Sequence, residues 1–406
     1  MPPRNPQGKP DESNGLTRLP LSGLTVVDLT RALAGPTCTR HLADWGADVI
    51  SVHQPGAEAE DVSGNRDISD FQNLHRNKRT ISIDLKSPEG HAVFMRLVNR
   101  ADVLVENMRP SVKHRLKIAW EDVHAVNPRL VYASVSGFGQ DGPYADRAGV
   151  DQIAQGMGGL MSVTGEPGQG PMRVGVPIAD LSAGNLMALG VMMALFERQT
   201  TGTGRWVQTS LLEAQLFMLE FQATRWLIDR KVPPQAGNNH PIGTPTGVFP
   251  TSDGHINIAA ASTRIWYKTC DALGHSEWKD RQSWKRPDGR LKDRPEINRL
   301  ISDITRQRPS AHWVDLLNRN GVPCGPIYSI DQTFADPHVQ HLGMARPVQH
   351  PRLGELSLVA SPLNFSGHSK DIRHATHDAG ADTEAVLREL GYGNADIAAL
   401  RSKNIV

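Results

Sequence analysis

One aspartate, Asp180, stands where an apolar extended run, residues 174–179, meets the start of a long helical pattern. Aspartate is a preferred residue at the position before a helix, where its side chain accepts backbone N–H groups and contributes about 0.5–2 kcal/mol of stability. A carboxylate in such a place is also a candidate nucleophile or acid–base group. The local pattern by itself favours the helix cap over chemistry.

Two segments that contain basic residues flank predicted strands. One group precedes a strand, and it comprises His75, Arg76, Asn77, Lys78 and Arg79. The other group follows a strand, and it comprises Asn107, Met108, Arg109 and Arg115. If the two groups converged at one edge of a sheet, their cations would suit a phosphorylated ligand. A solvated basic turn explains the same residues without a ligand, so both interpretations stay open.

Several common catalytic motifs are missing. The sequence has no Gly-x-x-x-x-Gly-Lys-Ser/Thr phosphate loop, and the loop after its first predicted strand has a single glycine, Gly35, instead of Gly-x-Gly-x-x-Gly. An NAD-dependent enzyme therefore gains little support. The 16 histidines show no metal-binding spacing, and no Gly-x-Ser-x-Gly elbow occurs. We expect no metal site.

Composition limits the class of protein further. Lys and Arg total 44 against 43 Asp and Glu, which leaves a net charge of +1 and no field to hold nucleic acid or an anionic membrane. Cys38, Cys270 and Cys324 form no Cys-x-x-Cys pair, which favours a reducing cytosol over disulfides. The longest apolar run, residues 186–196, is shorter than the ~20 residues that span a bilayer. We expect a cytoplasmic protein.

The elements that must position these residues alternate along the first half of the chain. Short apolar runs at residues 24–29, 48–52, 79–85, 102–106 and 129–135 read as strands, with helical patterns between most of them. This alternation predicts an α/β fold with a doubly wound, mostly parallel, Rossmann-like sheet. Such sheets bind ligands at the carboxyl ends of their strands.

The second half of the chain has a different pattern of predicted elements. A long helix is predicted at about 181–198, a strand at 206–210, and a second long helix at 213–231 before Pro233. We expect a disordered lead-in at 1–20, a large domain at 21–231, a smaller inserted α+β domain at 232–330, and a return to the large domain at 331–406.

From about residue 21 to residue 406, the sequence resembles the family III CoA-transferases, the formyl-CoA transferase and carnitine CoA-transferase-like group. The motifs that carry the resemblance are, in chain order, Ala34-Gly-Pro36, Gly46-Ala-Asp-Val-Ile50, Asn77-Lys-Arg79, Val105-Glu-Asn107, Asn127-Pro128, Gly142-Pro143, Asp180, Thr201-Gly202 and Gly325-Pro326. The resemblance implies that Asp180 is the nucleophile as well as a cap. It also implies an interlocked homodimer, in which each chain threads through the other.

The resemblance further implies that CoA or acyl-CoA binds as a substrate, with no tightly bound cofactor. The implied contacts are Arg31, Ala32, Leu33, His75, Arg76, Asn77, Lys78, Asn107, Met108, Arg109 and Arg115. The sequence departs from the family at Ser51, His53 and Ser136. Residues 237–247 match the glycine-rich lid of the family only loosely.

A carboxylate nucleophile suits transfer of CoA between two acids, because no step releases the thioester to water. With an ordinary pKa of about 3.9, Asp180 is expected to be ionised at neutral pH without a base. It would form a mixed anhydride and then an aspartyl-CoA thioester. We expect a succinyl-type donor and a small dicarboxylic acceptor, with N–H groups of residues 237–247 or 137–139 stabilising the oxyanion.

Two other functions stay open at this point. A 2-methylacyl-CoA racemase would need a histidine just before Asp151, where this sequence has Val150. A CoA-binding protein without chemistry would use Asp180 only as a cap. His240 is a candidate for recognising the acceptor carboxylate or an ordinary surface residue, and Cys38 is expected to be a buried structural thiol.

Overall fold

The computed structural model describes residues 18–56 and 65–406, so most of the predicted lead-in at 1–20 lies outside the described residues. The chain forms two compact units. Among the described residues, the first comprises 18–56, 65–154, Pro177–Gln215 and Gly343–Val406, and the second comprises Gln155–Val176 and Leu216–Leu342. The second unit therefore includes chain on both sides of the range 232–330 expected for the small domain.

Eleven strands form among the described residues. In chain order they are β1 Thr25–Asp28, β2 Asp48–His53, β3 Lys78–Ser82, β4 Val103–Glu106, β5 Val131–Ser136, β6 Trp206–Ser210, β7 Thr246–Pro250, β8 His255–Ala259, β9 Cys324–Pro326, β10 Ala345–His350 and β11 Gly354–Val359.

Eighteen α-helices accompany them in the same part of the chain. They are α1 Ala34–Asp44, α2 Ser69–His75, α3 Pro88–Arg100, α4 Pro110–Arg115, α5 Trp120–Val126, α6 Asp151–Met157, α7 Leu160–Val163, α8 Ile178–Thr201, α9 Leu211–Leu219, α10 Phe221–Asp229, α11 Thr263–Ala272, α12 Pro287–Lys292, α13 Arg294–Thr305, α14 Ser310–Arg319, α15 Ile330–Ala335, α16 Pro337–Leu342, α17 Thr383–Glu389 and α18 Asn394–Ser402.

The main sheet of the first unit has the strand order β3-β2-β1-β4-β5-β6, and every neighbouring pair is parallel. Its strands are apolar on both faces because helices cover both. Helices α1 and α8 pack on one face, and α3, α5, α17 and α18 pack on the other. The prediction of a doubly wound, parallel α/β sheet is confirmed.

The strand order reverses between β1 and β4. From β1 the chain winds outward through β2 to β3, then returns to the other side of β1 as β4. The loops after β1 and β4 leave the sheet in opposite directions, which opens a crevice at the carboxyl edge. This crevice is the place where a doubly wound sheet holds its ligand.

Helix α8 runs for 24 residues and begins three residues before the predicted start at 181. Ala179, Ala183, Met187 and Val191 are buried against the sheet. By length and composition alone, α8 is the one helix of the described residues that is apolar enough to cross a membrane, and 50% of its most apolar stretch is buried inside the protein.

The second unit has its own core. Strands β7, β8 and β9 form an antiparallel sheet, and the indole rings of Trp266, Trp278 and Trp284 pack beneath it. The prediction of one long helix over 213–231 is wrong. The chain breaks at Glu220, whose φ of 45° separates the end of α9 at Leu219 from the start of α10 at Phe221.

Candidate active site

Asp180 is the third residue of α8, not the residue before it. The helix is preceded by Pro177, which makes no side-chain capping bond, so the prediction that Asp180 caps the helix is wrong. Its carboxylate still lies in the first turn, where unpaired N–H groups give the helix a partial positive charge that favours an anion.

The surroundings of Asp180 change its ionisation. Burial, and then the negative charge of Asp151, raise the pKa of Asp180 from 3.8 to about 7. The expectation that Asp180 is fully ionised at neutral pH is therefore wrong. Within residues 18–56 and 65–406, its carboxylate makes no hydrogen bond or ion pair that would offset its partial burial. A partly buried carboxylate with a raised pKa is typical of a functional site.

The chain that leads into α8 is fixed by Asp151, the first residue of α6. Its Oδ1 accepts the N–H of Ala179 at 2.9 Å in the protein interior. The preceding loop is closed where Gly137 and Gly149 pack backbone against backbone, since a Cβ on either would come within 2.5 Å of the other's Cα. Asp151 is thus held in a defined position beside the first turn of α8.

The carboxyl end of β1 holds a buried ion pair. The Nζ of Lys78 lies 3.0 Å from Oδ2 of Asp28, and both side chains are 0% exposed. The hydroxyls of Thr30 and Thr39 also donate to Asp28. Burial alone would raise the pKa of Asp28, but Lys78 and these hydroxyls together lower it to about 2. This cluster fixes the loop after β1.

The loops after β1 and β4 are joined by a single side chain. The carboxamide of Asn107 accepts the N–H of Arg31 at 3.0 Å and donates to its carbonyl oxygen at 2.7 Å. Below it, Glu106 accepts the N–H of Met108 and pairs with the Nζ of Lys113 at 3.0 Å. Two of the segments predicted to contact CoA therefore meet at the crevice.

A cavity of about 110 Å³ opens at this edge of the sheet. Its lining comes from the loops after β1, β2, β3 and β4, and includes Arg31, His53, Lys86 and Met108. Burial, and then the guanidinium of Arg66, lower the pKa of His53 to about 3, so the imidazole is neutral. The Nη2 of Arg66 lies 3.2 and 3.3 Å from the two ring nitrogens.

The charges of Arg76 and Lys78 are already paired with buried carboxylates, so the alternative in which these two cations hold a phosphorylated ligand loses support. The guanidinium of Arg76 binds both oxygens of Asp44 at 3.0 and 2.7 Å, and Asn77 donates to the same carboxylate. Arg76 and Lys78 are each 1% exposed.

The other residues predicted to contact CoA lie nearer the solvent. Arg31, Ala32, Arg109 and Arg115 are exposed, and Leu33, His75, Asn107 and Met108 are half-buried. Contact of any of these residues with CoA stays a prediction.

The glycine segments predicted as oxyanion donors already use several of their N–H groups. Gly139 donates to Oγ of Ser136 at 3.1 Å. In the second unit, Gly237 donates to the carbonyl of Gly165, and Gly243 donates to Nδ1 of His240. The oxyanion prediction is wrong for these three N–H groups, because each already has an acceptor.

His240 is exposed at the edge of the second unit's sheet. Because Nδ1 accepts the N–H of Gly243 at 3.0 Å, the ring proton of the neutral imidazole lies on Nε2. The ring lines a cavity of about 420 Å³ together with Asn238, Asn257 and Cys324. Its recognition of an acceptor carboxylate stays a prediction.

Sequence reasoning missed Lys86 and Arg66, and it noted Asp151 only as part of a racemase motif. Lys86 had a usable signal, since it is a cation that follows a predicted strand. Asp151 had none, because its partner Ala179 is 28 residues away along the chain. Cys38 is 0% exposed and burial raises its pKa, which confirms the buried thiol.

Taken together, these features define a doubly wound α/β protein with a crevice at its switch point and, on a core helix, a partly buried carboxylate whose pKa is raised. Residues 21–383 match the model of CoA-transferase family III. The chain is 38% identical to a succinate–glutarate CoA-transferase of Agrobacterium fabrum over 91% of this chain and 96% of that protein. It is 32% identical to the human succinyl-CoA:glutarate CoA-transferase over 95% of this chain and 90% of that one.

A solved structure shares the fold. A CaiB/BaiF family protein from Brucella suis superposes with a TM-score of 0.80 at 34% identity, over 92% of this chain and all of the other. The chain belongs to CoA-transferase family III, which confirms the resemblance read from its motifs. It is a CoA-transferase enzyme that uses acyl-CoA as substrate. Val150, where a racemase would have its histidine, has an aliphatic side chain that cannot transfer a proton.

Proposed function

We propose that this protein moves CoA from succinyl-CoA or a similar donor to a small dicarboxylic acid, with Asp180 as the nucleophile. The observation that carries the role of Asp180 is its partly buried carboxylate, which has no stabilising partner among the described residues. Burying an unpaired charge costs free energy, so a purely structural residue would not be kept in this state. The succinyl donor and dicarboxylic acceptor are supported by the relatives' activities.

The proposed reaction has four steps that conserve the thioester energy. An oxygen of ionised Asp180 attacks the donor thioester carbonyl, the C–S bond breaks, and CoA thiolate leaves a mixed anhydride. The thiolate then attacks the Asp180 carbonyl, which releases the donor acid and forms an aspartyl-CoA thioester. The acceptor carboxylate displaces the thiolate to form a second anhydride. Attack by the thiolate on the acceptor acyl carbon yields the new acyl-CoA and restores Asp180.

We propose that the CoA nucleotide lies across the loops after β1 and β4. A cavity of about 110 Å³ is small beside the ~300–1,000 Å³ typical of a ligand pocket, so CoA would extend over the open edge. The proposed contacts of CoA are Arg31, Ala32, Leu33, Asn107, Met108, Arg109 and Arg115. His53 and Lys86, which line the cavity, are added to them. The charges of Arg76 and Lys78 are already paired with carboxylates. We therefore propose an indirect role, holding the neighbouring backbone, for His75, Arg76, Asn77 and Lys78.

We also propose that two copies of this chain associate in the cytosol. One stripe of α8 is apolar and exposed, with Leu189 51%, Met193 62% and Phe196 74% accessible. Residues spaced in this way lie on one helix face, and an exposed apolar face of that kind favours a protein partner. The three cysteines form no disulfide, which suits a reducing compartment.

The test is an exchange assay with succinyl-CoA and glutarate, in which new acyl-CoA is separated by chromatography. We expect glutaryl-CoA to form, and Asp180→Asn to reduce its rate by at least about a thousandfold. Asp146→Asn is the matched control, since it makes the same change at an exposed site in the first unit. Undiminished exchange by Asp180→Asn would refute the nucleophile.

A further inference from the structure

We propose that Asp151 is a positioning residue for Asp180, holding the backbone that enters α8 and keeping a second negative charge beside the nucleophile. This proposal rests on the proposed role of Asp180. It assigns to one buried carboxylate two separable tasks, one of geometry and one of electrostatics.

The geometric task follows from the start of α8. N–H groups in the first turn of a helix have no acceptor within the helix, and Pro177 supplies none from its side chain. Asp151 supplies one, because its Oδ1 accepts the N–H of Ala179 at 2.9 Å. Asp151 is 7% exposed and Ala179 is 0% exposed, so water does not compete for this bond. The bond fixes the residue adjacent to Asp180.

The position of Asp151 is itself determined by the fold. The contact between Gly137 and Gly149 closes the loop that ends at Val150, and any Cβ at either glycine would force the two backbones apart. Asp151 therefore reaches the start of α8 from a loop that this contact holds closed.

The electrostatic task depends on which charges face Asp180. Asp151 raises the pKa of Asp180, after the larger effect of burial. Helix α1 packs along α8, and Nε2 of its His41 lies 2.8 Å from Oδ1 of Asn185 on α8. Burial lowers the pKa of His41, so it is neutral at neutral pH. Strands β5 and β6, under α8, contain no Asp, Glu, His, Lys or Arg.

Two neighbouring carboxylates favour acylation of one of them. When an oxygen of Asp180 forms its bond to the acyl carbon, the negative charge passes to the departing CoA thiolate. The repulsion from Asp151 is relieved in that step, so it raises the energy of the ionised enzyme more than that of the acylated one.

The test compares the pH dependence of kcat/KM for the acyl-CoA in wild type and three variants. Asp151→Asn keeps an oxygen to accept the Ala179 N–H but removes the charge. We expect the acidic limb of the profile, near pH 7 in wild type, to move down by about one pH unit. Asp151→Ala removes the bond as well, and we expect kcat to fall about tenfold further. Asp146→Asn should leave the profile unchanged.

A fourth variant, Asp151→Glu, keeps the charge and guards against misfolding of the others. Its acidic limb should stay near that of wild type even where kcat falls. Two results would overturn the proposal. In one, the acidic limb of Asp151→Asn stays at the wild-type pH. In the other, the acidic limb of Asp151→Glu shifts as far as that of Asp151→Asn. Peptide mass analysis for a CoA adduct on Asp180 separates the two hypotheses. If the CoA adduct forms on Asp180 but the acidic limb of Asp151→Asn does not shift, only the role of Asp151 is refuted. If the enzyme is active and no adduct forms, the proposed function and this inference are refuted together.

Discussion

Replacing Asp180 by asparagine should make the protein more stable at pH 8. The pKa of Asp180 is raised from 3.8 to about 7 by burial and by Asp151. Between these values the unfolded chain loses its proton while the folded chain keeps it, so the wild type loses stability as pH rises from about 4 to 7. At about 1.4 kcal/mol for each pKa unit, the loss is up to about 4 kcal/mol. Asparagine is nearly isosteric and never ionises.

The measurement is urea unfolding of wild type and Asp180→Asn at pH 4.5, 6 and 8, at one protein concentration because the stability of the proposed dimer would depend on it. We expect the stability advantage of the variant to be smallest at pH 4.5 and to grow as pH rises to 8. The difference in unfolding free energy between wild type and Asp146→Asn should not increase with pH in this way. A difference between wild type and Asp180→Asn that is the same at every pH, or a variant less stable at pH 8, would refute the account of the site's electrostatics.

Three further predictions follow from other parts of the fold. Lys78→Met leaves Asp28 buried without its cation, and we expect a loss of about 3–5 kcal/mol in urea unfolding. Asn107→Ala removes both bonds to the Arg31 backbone, and steady-state kinetics should show KM for the acyl-CoA rising with kcat little changed. Phe196→Glu places a charge on the exposed stripe of α8, and sedimentation should then show monomers where the wild type is a dimer; an unchanged sedimentation coefficient would argue against this face.

Much of the first unit could be predicted from the sequence, because its strands are short apolar runs separated by helical patterns. The family motifs then pointed to Asp180, whose role as nucleophile is a proposal. The start of α8 could not be predicted as easily, since residues 178–179 continue the apolar run and the residue before the helix, Pro177, has no polar side chain. The break at Glu220 had no signal either, because neither glycine nor proline stands there.

The ionisation of the site lay beyond sequence reasoning for a physical reason. Reference pKa values describe groups in water, and the shift at Asp180 arises from burial and from Asp151, which meets α8 only in the folded chain. Likewise, the sequence does not show that the charges of Arg76 and Lys78 are paired, because their partners, Asp44 and Asp28, are distant along the chain. Spacing along a chain does not reveal which cations are already paired.

The most direct test of the role of Asp180 measures the transfer of an oxygen atom from the acceptor acid to this residue. In the proposed reaction, the acceptor carboxylate leaves one of its oxygens on Asp180 when the second anhydride breaks. A turnover with an acceptor acid labelled with ¹⁸O should therefore place ¹⁸O in the peptide that contains Asp180, as measured by mass spectrometry. Formation of the new acyl-CoA while that peptide stays unlabelled would contradict the account.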